Sequence, residues 1–71
     1  MNKREKNIIE ERLISAERAY RVEHKLRGGT DRITIGACHA SVALSRLYQE
    51  LFGLEELTKL MEKNFPEMFK N

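Results

Sequence analysis

Glycine and proline punctuate this chain so sparsely that they dictate its architecture. Residues 2–27 contain neither. Gly28-Gly29 then forms a strong stop, because glycine accepts the conformations that end a helix. Gly53 marks a second stop and Pro66 a third boundary. The spacing predicts an all-α, small three-helix domain occupying 1–71. A long helix 1 covers about 2–27, helix 2 about 31–52 and a short helix 3 about 54–64. Either Asp31 or Thr34 can N-cap helix 2. Pro66 biases Phe65 away from helix, leaving 65–71 as a single turn or docked tail.

The apolar pattern agrees with helices. At 100° per residue, Ile33, Ala37, Ala40, Leu44, Leu47, Tyr48 and Leu51 share one side of helix 2 and are expected to form its core face. Leu54, Leu57, Leu60, Met61 and Phe65 gather on helix 3. Helix 1 is different. Its apolar residues Ile8, Ile9, Leu13, Ala16, Ala19, Tyr20, Val22 and Leu26 span a wide arc interrupted by Glu5, Arg12 and Glu23. Twenty-six residues reach about 39 Å, more than the shorter helices cover.

Charges inside an apolar stripe are costly unless paired. Two antiparallel copies of helix 1, crossing between Glu17 and Arg18, supply the pairs. Ile9 then faces Leu26 of the other copy, Leu13 faces Val22, Ala16 faces Ala19, and Arg12 meets Glu23. Such self-complementarity is what a two-fold interface requires. The expected assembly is a helical homodimer through Ile9, Arg12, Leu13, Ala16, Ala19, Val22, Glu23 and Leu26. The plainer alternative is that Arg12 and Glu23 snorkel at the edge of a monomeric core. A 71-residue chain with five aromatic residues and one cysteine has few other staples, which makes self-association the stronger expectation.

Composition excludes more than it identifies. The chain is 41% hydrophobic and 34% charged, typical of a folded helical domain. No disulfide framework is possible with one cysteine, and a structural zinc lacks enough ligands. No apolar run approaches the roughly 20 residues that span a bilayer, and MNKREKN opens without a signal-peptide pattern. A lone cysteine suits a cytoplasmic, reducing setting. No cofactor is expected.

No residue set marks an enzyme. Cys38 and His39 are neighbours, so on a helix they point about 100° apart and cannot act as nucleophile and base. Cys38, Ser41, Ser45 and Phe52 lie beside the expected core face of helix 2. There small residues would let helix 1, or a partner's helix, pack closely. Arg32, His39 and Arg46, spaced by seven, form a basic stripe. With Gly28, Gly29 and Thr30 they make a candidate contact for an acidic protein surface or a phosphate group at a helix N-terminus. The glycine pair is neither a Walker loop nor a dinucleotide fingerprint. Glu17–Arg21 and Glu23–Arg27 read as ordinary i,i+4 surface pairs.

The reading is therefore a small accessory or inhibitor protein that acts by binding a protein partner as a homodimer. The alternative is an oligomeric binder of a phosphate-bearing small molecule or nucleotide at the Gly28–Arg32 loop. A nucleic-acid accessory role comes third. Sequence-specific DNA binding is not expected, because helix 3, LEELTKLMEKNF, carries three Glu against two Lys and would repel DNA.

Overall fold

A computed structural model describes residues 1–69. Three helices run α1 Lys3–Arg27, α2 Arg32–Phe52 and α3 Leu54–Asn64, followed by a single 3₁₀ turn, Pro66–Phe69. No strand occurs among the described residues. Each helix end has a local cause. Asn2 caps α1 by accepting the Glu5 N–H at 2.8 Å, and its amide donates back to the Glu5 carboxylate at 2.9 Å. Asp31 caps α2 by accepting the Ile33 N–H at 2.9 Å. Gly28 and Gly53 close α1 and α2 with φ of 85° and 94°, values that side-chain-bearing residues rarely adopt. Their N–H groups bond the His24 and Gln49 carbonyls.

The connection between α1 and α2 is only Gly28–Asp31, so α2 must fold straight back as an antiparallel hairpin. The two helices meet along a polar ladder. The Tyr48 hydroxyl donates to Glu10 at 2.6 Å. Seven residues back, the Ser41 hydroxyl donates to Glu17. The other Glu17 oxygen accepts from Arg21 at 3.2 Å. Leu13 and Tyr48 are 0% exposed and anchor this seam, with Thr34 and Ser41 buried beside them. Tyr48 stacks at a tilt on Phe52, 4.7 Å between ring centroids.

The α3 helix crosses one side of the hairpin. Leu60 and Asn64 lie over Asn7, Glu10 and Ile14. Phe65 is buried under the guanidinium of Arg21, 4.6 Å from its ring centre, with Arg18 at 5.8 Å. Lys6 ties the far end, lying 3.6 Å from Glu56 and 5.0 Å over the Phe52 ring. Leu57, Leu60 and Met61 are half-buried, whereas Leu54, the first residue after Gly53, stands in solvent.

The result is a slab of 37 × 28 × 17 Å. Its radius of gyration, 12.7 Å, exceeds the roughly 11 Å expected of a compact chain this long.

Candidate interaction surface

The expected core face of α2 is not the face that α1 covers. Ile33, Leu47 and Leu51 are 51%, 42% and 46% exposed, and Ala40 is exposed too. Ala37 and Leu44 are half-buried, and of the expected set only Tyr48 is buried. The helix is turned by roughly a quarter turn, so that Thr34, Ser41 and Tyr48 face α1. Two features set that rotation. The short loop and the Asp31 cap fix where the first turn of α2 starts. Ser41 is small enough to admit the Glu17 carboxylate, which supplies a charged acceptor in return. Cys38 and Ser45 flank this seam half-buried, so the small-residue side of α2 is where α1 packs.

The ladder has a third level that is not made. Continuing seven residues along each helix brings His24 level with Thr34, but Thr34 Oγ1 is buried without a hydrogen-bond partner. His24 instead packs edge-to-face with Tyr20, 5.8 Å between ring centroids. A Cβ at Gly29 would meet His24 Nε2 at 3.2 Å, so the second glycine leaves room for that ring. Polar residues at steps of seven on both helices, Glu10 and Glu17 against Thr34, Ser41 and Tyr48, are the sequence signal for this seam.

With α3 on one side, the opposite side of the hairpin is open. There Ile8, Arg12 and Ser15 of α1 line a shallow groove with Leu44 of α2. Ile33, Ala40, Leu47 and Leu51 continue the apolar surface along α2. Of the α1 residues expected at a homodimer interface, Arg12, Ala19, Val22 and Leu26 are exposed, and Ile9, Ala16 and Glu23 are half-buried. Leu13 is a correction: it is wholly buried against α2 and cannot face Val22 of another copy. Glu23 is held by Arg27 at 2.6 Å within the chain.

The chain exposes 5425 Å², against about 4,600 Å² for a compact monomer of its mass, as its flat shape requires.

Gly28, Gly29, Thr30, Arg32, His39 and Arg46 are all exposed. Arg32, His39 and Arg46 lie along one edge of α2, and Arg46 shares a shallow depression with Gln49 and Glu50. At the start of α2 the Asp31 carboxylate already takes the Ile33 N–H, which places a negative charge where a phosphate would need to bind. Among the described residues, no three His, Cys, Asp or Glu side chains gather as metal ligands would, and no helix is long and apolar enough to cross a membrane.

Comparison with protein-family models, curated proteins and solved structures finds no match to this chain. Its functional reading therefore rests on the geometry of this surface.

Proposed function

We propose that this chain is a small protein-interaction module of the reducing cytosol, a homodimer that binds a protein partner. The observation that carries the reading is the open hairpin side, an apolar surface of Ile33, Ala40, Leu44, Leu47 and Leu51, with Arg12 exposed beside it. Monomeric soluble proteins rarely leave so continuous an apolar strip uncovered. In this reading the open side serves assembly. The basic edge of Arg32, His39 and Arg46, with the Gly28–Thr30 loop at its end, serves an acidic partner surface. Rim charges of this kind act through steering and salt-sensitive association.

The test is retention of a partner from host extract on the immobilised chain, compared with the Arg32→Ala/Arg46→Ala variant. A protein held by the wild type and released by the variant supports the reading. Equal retention by both removes the basic edge from the function.

A further inference from the structure

We propose that a second copy of this chain covers the open hairpin side, antiparallel, about one two-fold axis level with Glu17 and Ser41. Helix α1 then lies on α1 of the second copy and α2 on α2, as a four-helix layer with the two α3 helices outside. This rests on the homodimer reading above and specifies its geometry.

The open strip of α2, Ile33, Ala37, Ala40, Leu44, Leu47 and Leu51, advances in alternating steps of four and three, the spacing of a packed helix pair. The strip is also symmetric about Val42. Reversed on itself, it sets Ile33 against Leu51, Ala37 against Leu47, and Ala40 against Leu44. Each alanine meets a leucine, so small and large side chains interleave in every inner layer. Helix α1 has its own centre of self-complementarity between Glu17 and Arg18. There Ala16 meets Ala19, Ile9 meets Leu26, and Arg12 meets Glu23.

A single two-fold axis can serve both pairings only if the two centres lie at one height along the hairpin. The structure supplies that height. Ser41 is bonded to Glu17, and Tyr48 to Glu10, so each step up α2 matches one step down α1. Val42 therefore stands level with Ala16. The α1 centre is one to two residues away, about 2 Å at 1.5 Å per residue. Neither pairing refers to the other, yet the fold brings them to the same level.

The two faces also lie on the same side. Ile8, Arg12 and Ser15 share one groove with Leu44, while α3 occupies the other side. The charges agree, because the arrangement gives Arg12 and Glu23 opposite partners twice, once in each half of the dimer.

Charge reversal tests the register. The wild type should sediment as a dimer at tens of micromolar. Arg12→Glu and Glu23→Arg should each raise the dimer dissociation constant at least about tenfold. An equimolar mixture of the two variants should restore dimers, because every cross-pair is then opposite in sign. Helicity by circular dichroism checks that each variant folds. A second readout does not depend on those charges. In a Cys38→Ser background, oxidation should link Ala40→Cys to Leu44→Cys in a mixed dimer, and should not link Ala40→Cys to Leu51→Cys.

A wild-type monomer at these concentrations overturns the proposal, while a partner retained through Arg32 and Arg46 would still stand. A dimer insensitive to both charge reversals, or giving the Ala40–Leu51 link, overturns this register alone. A dimer that also survives Leu47→Glu overturns the use of the open side for assembly.

Discussion

The hydrogen bond from Tyr48 to Glu10 gives the sharpest test of how the hairpin is held. The Tyr48 ring is wholly buried, and its hydroxyl reaches Glu10 at 2.6 Å. A hydrogen bond to a charged acceptor contributes about 1.5–3 kcal/mol. Glu10 is only half-buried, so water can take the place of a lost donor and the low end applies. Tyr48→Phe keeps the ring against Phe52 and should destabilise the fold by about 1–2 kcal/mol. In a domain of this size that lowers Tm by roughly 5–15 °C. Glu10→Gln keeps an acceptor but removes its charge, and the double-mutant cycle should show a coupling of about 1 kcal/mol. Urea denaturation followed by helical circular dichroism measures all four corners at one protein concentration, since association adds concentration-dependent stability. A coupling within about 0.3 kcal/mol of zero would refute the ladder as a source of stability.

The same bond has a pH signature. Burial first, then the hydrogen bond to Glu10 and the nearby Glu10 and Glu56 carboxylates, favour the neutral phenol. Together they push the Tyr48 pKa well above its ordinary value of 10.0. The folded value is raised relative to the unfolded one. The contribution is therefore fully present below about pH 10, and it is lost as pH rises beyond that and the unfolded phenol ionises. Wild type should lose stability above pH 10 faster than Tyr48→Phe, and parallel curves would contradict the assignment.

Other substitutions probe separate features. Thr34→Val removes a buried hydroxyl that has no partner and should stabilise the fold by up to about 1 kcal/mol in thermal melts; a loss would mean that the hydroxyl is satisfied in solution. Gly53→Ala meets no neighbouring atom but must hold φ near 94°, so a loss of about 1–3 kcal/mol in urea titrations measures backbone strain alone. Asp31→Ala should cost about 0.5–2 kcal/mol, while Asp31→Asn, which keeps the capping oxygen, should recover most of it. Leu13→Ala opens a cavity at the centre of the seam and should cost about 2–5 kcal/mol, the largest of these effects.

Much of the fold is legible in single residues. Gly28 and Gly53 end helices because their backbones take conformations that other residues rarely adopt. Asp31 starts one because its carboxylate reaches the Ile33 N–H. The i,i+4 pairs Glu17–Arg21 and Glu23–Arg27 form because one helix turn brings them together. These are local causes, and sequence carries local causes directly. The rotation of α2 was not legible in the same way. Its apolar stripe of Ile33, Leu47 and Leu51 is the stronger hydrophobic signal and was expected inside. The helix instead buries Ser41 and Tyr48, whose hydroxyls meet Glu17 and Glu10 across the seam, and Thr34 follows them on the same face.

Sequence by itself determined the three helices and their ends. Each follows from backbone conformation and capping chemistry within a few residues. Only the tertiary structure decided which side of each helix faces inward, and so which apolar side is left open. That choice depends on pairing groups far apart in the chain, a carboxylate on α1 with a hydroxyl on α2. Helical periodicity alone does not distinguish an apolar stripe destined for the chain's own core from one left for a partner.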